Sequence, residues 1–363
     1  DDTGVVYFIA SPLRALADYV YTSKSHWNAK ALAELIAQLG DVHVQLEQHE
    51  ALPKYSTTAP QKLVTAYGDE LKKIGDEHEE VVVLDADLML DTGLIPFKDA
   101  HPERFIECGI AEQDMVSSAG GLALSGKLPI IHSFACFLST RPNEQIYNNA
   151  TEETKIIYAG SLAGVLPAGP GHSHQSVRDI SILGSIPGLT LLSPANEVEA
   201  RLVLRWAVEQ NTRSTYVRLE SLPIDLPFTL PDSGQFTMGV GQKIHDGKDV
   251  AIVAYGPTLL KQAYLAAQQL AQQNVSVAVY NLPWLNKIDP AFVKELEQYP
   301  LVVTLDNHYV QLGQGVMVKA ALSNRCVNLG LTEVPRCGQN DEVLAYHQLD
   351  AASLQRQIQQ LLA

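Results

Sequence analysis

From about residue 60 onward this 363-residue chain alternates short apolar runs with longer stretches of helical periodicity. That alternation constrains its fold more than any other feature. A run such as Val81-Val82-Val83-Leu84 has no polar residue at every second position, so it suits a strand buried on both faces. Such strands are predicted at Glu80 to Asp85, Phe105 to Cys108, Pro129 to Ile131, Lys155 to Tyr158, Leu189 to Leu192 and Thr215 to Leu219. Helical patterns fall between them at Lys62 to Ile74, Ala111 to Leu124 and Ala195 to Glu209. Strands separated by helices imply a mostly parallel sheet covered on both sides. The Pro/Asp/Gly-rich stretch Leu222 to Gly234 reads as a linker. Beyond it a second unit opens with the strand Val250 to Tyr255, the helix Thr258 to Gln273 and the strand Val275 to Tyr280. The helix Pro290 to Glu297 and the strand Leu301 to Leu305 follow.

The opening residues differ. Val5 to Ala10 reads as a short strand, and Ser25 to Leu39 as a helix with Ser25 as N-cap and Gly40 as stop. Gln45 to Pro60 is a polar connector. The fold class expected is α/β, with two doubly wound, mostly parallel-sheet domains preceded by an N-terminal extension. The boundaries expected are 1–58, 59–230 and 231–363. No apolar run reaches the ~18–20 residues of a membrane span, and no basic stretch leads into an apolar core, so a cytoplasmic protein without an export signal is expected. Cys108, Cys136, Cys326 and Cys337 form no C-x-x-C pair, which suits reduced, buried thiols. A net charge of −15 excludes nucleic acid as the main partner.

Three segments carry candidate chemistry. Phe105 to Met115 (FIECGIAEQDM) runs a strand into Gly109 and starts a helix near Ala111, so Glu112 falls in the first turn. An acid there complements the helix dipole whatever else it does. His132 to Asn149 (HSFACFLSTRPNEQIYNN) holds Phe134 and Phe137, and Gly169 to Ile180 (GPGHSHQSVRDI) holds His172 and His174. Asp87 follows a strand in DADLMLD, where the ends of parallel strands line a ligand crevice. Arg218 ends the strand Thr215 to Leu219. GIAEQ-D-M, then S-F-x-x-F, then a Gly/His loop ending in His-Gln, in that order, resembles the pyrimidine-binding domain of the transketolase family. The likeness runs on through Asp246-Gly247-Lys248-Asp249-Val250 and Thr304-Leu305-Asp306-Asn307-His308 to Gly313-Gln314-Gly315, covering about residues 60–363.

The resemblance implies a thiamine diphosphate enzyme in which the cofactor supplies carbanion chemistry and the protein supplies placement. It implies that Glu112 hydrogen-bonds the pyrimidine N1′ and makes the 4′-amino group basic. It implies that Phe134 and Phe137 stack on that ring, that Asp87 lies by the thiazolium and that His174 serves the substrate's hydroxyl or carbonyl end. Arg218 would help hold a substrate phosphate, a task suited to its planar fork. Several positions depart from the family pattern: Asp91 for a serine, Thr140 for a tyrosine, Ala159-Gly160-Ser161 for a histidine, and Gly169 or Pro170 for an acid. No Gly-Asp-Gly occurs in the chain. The diphosphate and its Mg2+ or Ca2+ are therefore expected on a separate diphosphate-binding domain or subunit, in a homodimer or heterotetramer. The activity implied is transfer of a two-carbon ketol unit from a ketose to an aldehyde. The alternatives are a 2-oxoacid dehydrogenase beta-type subunit, a decarboxylating deoxyxylulose phosphate synthase-like enzyme, and a non-catalytic regulatory paralogue.

Overall fold

A computed structural model of the chain describes residues 60–230 and 236–363. The strand and helix expected before residue 60, and the extension they would form, lie outside the described residues.

The first sheet contains β1 (Val81–Asp85), β2 (Phe105–Glu107), β3 (Leu128–Phe134), β4 (Ile157–Ser161), β5 (Thr190–Leu192) and β6 (Thr215–Arg218). Their order is β2-β1-β3-β4-β6-β5, and every pair is parallel. The alternation of side chains sends Val81 and Val83 to one face, where they meet Tyr67, Leu71 and Ile74 of the helix Leu63–Glu77. Val82 and Leu84 go to the other, against Met115 and Ala119 of the helix Glu112–Leu124. Covering both faces is what the apolar runs require. The second sheet contains β7 (Gln242–His245), β8 (Val250–Ala254), β9 (Val277–Asn281), β10 (Leu301–Tyr309) and β11 (Arg325–Leu331), in the order β11-β10-β8-β9-β7. It is parallel except for β7, which runs antiparallel to β9. The expected α/β class of two mostly parallel sheets is what the chain forms.

Several boundaries move for a physical reason. The strand expected at Pro129 to Ile131 runs from Leu128 to Phe134 because polar His132 and Ser133 are buried within it. His132 meets the Tyr67 hydroxyl at 3.0 Å, and burial drives its pKa down to about 3. Likewise β10 continues through buried Asp306, Asn307 and His308. The helix expected at Ala195 to Glu209 is Glu197–Arg205, with Asn196 as N-cap accepting the Glu199 N–H at 2.8 Å, followed by a π-helical turn at Trp206–Gln210. All four cysteines are free, and Cys326 is buried, but Cys337 is exposed, which corrects the expectation of uniformly buried thiols. Among the described residues no helix is long and apolar enough to cross a membrane.

The two sheets share one compact unit. Ser193 N–H donates to the Pro283 carbonyl at 2.9 Å and Leu285 N–H to the Leu191 carbonyl at 2.8 Å. Between them Trp284, fully buried, packs against Trp206 and Phe236. The chain passes from β1 to β2 on one side and back to β3 on the other, so strand order reverses beside β1. In open α/β sheets the crevice at the carboxyl ends beside such a reversal binds ligands.

Candidate functional site

The carboxyl ends of β1, β2 and β3 all open onto that reversal. After β2, Gly109 takes φ +66°, a left-handed conformation that glycine adopts without side-chain strain. Ala111 N–H closes the turn on the Gly109 carbonyl at 2.7 Å, and the helix Glu112–Leu124 begins. Glu112 is only 4% exposed, and a buried carboxylate needs a partner. Arg141 supplies one: its Nη1 donates to Glu112 Oε1 at 2.5 Å, a charge-assisted bond.

Arg141 caps the short helix Ala135–Thr140, four residues after Phe137. That spacing puts the two side chains on one helix face, and the guanidinium lies 3.9 Å from the Phe137 ring centroid. Phe134, the last residue of β3, is buried and stands 5.8 Å from Phe137 between ring centres. The His174 ring meets both edge-on, at 5.9 Å and 5.3 Å. Its Nδ1 sits 2.9 Å from the Ser173 hydroxyl. Gln175 fixes the loop, its Nε2 donating to the carbonyls of Val165 at 2.8 Å and Arg336 at 3.0 Å. His172 is exposed and makes no ring contact with this group. Glu112, Arg141, Phe137, Phe134 and His174 thus form one chain of contacts. Its aromatic wall is joined through Arg141 to a buried carboxylate, an arrangement that suits a flat nitrogen heterocycle with a polar ring atom.

Asp87 lies just past β1, exposed, with φ +61°. Its backbone N–H donates to Glu107 Oε1 at 2.9 Å, and so does that of Gly109, at 2.8 Å. Beneath them Asp85 is fully buried and accepts the Leu88 N–H at 2.6 Å. Burial, countered by the Leu88 N–H and reinforced by the neighbouring Glu107 charge, pushes the Asp85 carboxyl up to about 8.

Arg218 requires a correction. The site expected to hold a substrate phosphate is fully buried: Arg218 Nε donates to Asp179 Oδ2 at 2.8 Å and Nη2 to the carbonyls of Asn307 at 2.8 Å and Ser176 at 3.1 Å. Asp179 also accepts the Tyr216 hydroxyl at 2.9 Å. The strand end that carries Arg218 is roofed by the helix Asp179–Leu183 and by β10, so its fork ties elements together and faces no crevice.

Arg141, Glu107 and Asp85 were not singled out by sequence reasoning. The i+4 spacing from Phe137 could have found Arg141. Glu107 had a weaker signal, standing two residues before Gly109 at a strand's carboxyl end.

Residues 59–222 match the family model of the transketolase pyrimidine-binding domain, and residues 239–354 that of the transketolase C-terminal domain. The chain is 31% identical over 299 residues to a putative transketolase C-terminal section of Methanocaldococcus jannaschii, covering 80% of this chain and 93% of that protein. It is 27% identical over 357 residues to 1-deoxy-D-xylulose-5-phosphate synthase of Thermobifida fusca, covering 93% of this chain but spanning only 56% of the synthase. A solved split-gene transketolase, described as an inactive beta4 tetramer, superposes with TM-score 0.73 and 30% identity, over 83% of this chain and 98% of that one.

Proposed function

This chain belongs to the transketolase family, and from that premise we propose that it forms the pyrimidine-side half of a thiamine diphosphate site that transfers a two-carbon ketol unit from a ketose donor to an aldehyde acceptor. The observation that supports this best is the buried Glu112 carboxylate, joined through Arg141 to the Phe134–Phe137 wall. When bound, the cofactor supplies the nucleophilic carbon. The chain's own residues do the rest. Glu112 would donate its carboxyl O–H to the ring nitrogen and share the proton there. Phe134 and Phe137 bear the ring face and exclude water from it. Asp87, exposed just past β1, would lie close to the thiazolium. His174, edge-on to both phenylalanines, moves a proton at the substrate oxygen. Arg141 covers the Phe137 face and holds Glu112 in this structure, so it must yield both to the cofactor.

The diphosphate and its Mg2+ or Ca2+ would be held by a diphosphate-binding domain or subunit, in a homodimer or heterotetramer working in the cytoplasm. Glu112→Ala tests the reading. In the chain reconstituted with such a subunit, thiamine diphosphate and magnesium, turnover should fall ~10²–10⁴-fold, the usual range for losing an acid–base group. Unchanged turnover removes the proposal. The likeness to the T. fusca synthase across nearly the whole chain favours one second reading, decarboxylation of a 2-oxoacid. Carbon dioxide released from pyruvate would favour it over ketol transfer.

A further inference from the structure

We propose that Glu107 is a positioning residue: its carboxylate, beside Asp85 in strand register, clasps the Asp87 turn to the Gly109 turn and so holds Asp87 and Glu112 in one frame. What is positioned rests on the function proposed above. The clasp itself rests on the strand register of Asp85 and Glu107 and on two backbone hydrogen bonds to Glu107.

Asp85 and Glu107 are register partners on the adjacent parallel strands β1 and β2, so their side chains leave the sheet on the same face. Asp85 is fully buried and Glu107 exposed. Two carboxyl groups in contact cannot both carry charge without strong repulsion, and the buried one is the one that keeps the proton near neutrality, its pKa raised to about 8 by burial and by Glu107. Asp85 therefore donates its O–H to Glu107. Glu107 Oε1 in turn receives two backbone N–H groups, from Asp87 at 2.9 Å and Gly109 at 2.8 Å. Both donors sit in left-handed backbone, at φ +61° and +66°. For Asp87 that conformation carries a steric cost that a local hydrogen bond must offset. A surface glutamate ordinarily samples many rotamers. Here one side chain is held by Asp85 on the neighbouring strand and by one backbone N–H from each of two crevice loops.

The consequence runs to the site by a short covalent path. The Gly109 carbonyl accepts the Ala111 N–H at 2.7 Å, and the next residue is Glu112. Asp87 leads directly into Leu88, whose N–H is bound by Asp85 at 2.6 Å. The Asp85–Glu107 pair thus fixes the start of one crevice loop and of the helix that presents the buried carboxylate.

Amide exchange of the 15N-aspartate- and 15N-glycine-labelled chain tests the clasp without any cofactor. In Glu107→Ala the Asp87 and Gly109 amides should exchange at least ~10-fold faster than in the parent. Glu107→Gln should keep both protected, because its carbonyl accepts the same two N–H groups while its NH2 donates to an ionised Asp85. Unchanged exchange in Glu107→Ala overturns the proposal. Should that variant fail to fold, Glu107→Asp reads the same contact: one methylene shorter, it should leave at least one amide unprotected, and retention of both overturns the clasp. In the reconstituted enzyme Glu107→Ala should lower kcat ~10-fold and raise the thiamine diphosphate concentration for half-saturation, with substrate KM unmoved and Glu107→Gln restoring both. Loss of amide protection with kcat and half-saturation unmoved, while Glu112→Ala still lowers turnover at least ~10²-fold, overturns the positioning role and leaves the function standing. Turnover that survives Glu112→Ala overturns the functional reading and the positioning role together.

Discussion

Arg141 sits between the two groups the cofactor needs, its guanidinium on the Phe137 face and its Nη1 on Glu112. Removing a competitor raises the apparent affinity of what it competes with. Arg141→Ala should therefore tighten thiamine diphosphate about fivefold, the equivalent of about 1 kcal/mol for a half-exposed charged hydrogen bond, read by fluorescence titration of the reconstituted enzyme. Weaker binding would mean the guanidinium assists the cofactor. His174→Asn separates two roles in the same assay: turnover should fall ~10²-fold, while cofactor half-saturation stays within about twofold. At this scale the juxtaposition of Phe134, Phe137 and His174 follows motifs that keep a fixed order along the chain, and the three meet as rings. The setting of Arg218 was not legible in the sequence. A strand-end arginine points wherever its roof allows, and the roof over Arg218 comes from Asp179 and Asn307, 39 and 89 residues away along the chain.

Elements obeyed the apolar pattern wherever burial was two-sided, and departed from it where polar residues were buried. β7 shows a half-exposed pattern and β11 a mixed one, so neither presents the continuous apolar run that marks β1 or β8. Within elements, glycines divide by cause. An added Cβ at Gly109 meets nothing within 4 Å, so only the φ of +66° opposes a side chain. Gly109→Ala should cost about 1 kcal/mol, a shift of roughly 2–4 °C in melting temperature. At Gly68 the added Cβ would lie 2.1 Å from the Gly93 carbonyl oxygen, a backbone atom with no rotamer to escape by. Gly68→Ala should cost several-fold more, and equal melting temperatures for the two variants would contradict this division.

The two sheets are joined by buried polar contacts as well as by Trp284. Arg218→Met would leave Asp179 buried without its cation and should destabilise the fold by about 3–5 kcal/mol, measured by denaturant unfolding. Glu199, on the helix Glu197–Arg205, accepts Asn281 Nδ2 of β9 with both oxygens, at 2.9 Å and 3.1 Å. Burial lifts its pKa to about 7 against the opposing bonds from Ala195 and Asn281. Between the ordinary carboxyl value and about 7 the folded chain binds the proton that the unfolded chain has released, so Glu199 makes stability fall as pH rises through that window. The shift corresponds to about 3 kcal/mol at most. Glu199→Gln should flatten the slope between roughly pH 4.5 and 7, and an unchanged slope would remove Glu199 as its source.

Apolar runs and loop composition alone determined that this chain builds two α/β sheets, because a strand buried on both faces leaves a continuous apolar signature and a linker breaks it. The order of short motifs determined the family and marked the carboxylate at position 112 as the candidate. Only the tertiary structure decided which charged residues face the crevice and which serve the interior. Arg141 reaches Glu112 and Glu107 reaches Asp87 and Gly109, while Arg218 turns inward. Those outcomes depend on side chains brought together from segments distant in the chain, and no local pattern encodes the desolvation and pairing that settle where a charge can rest.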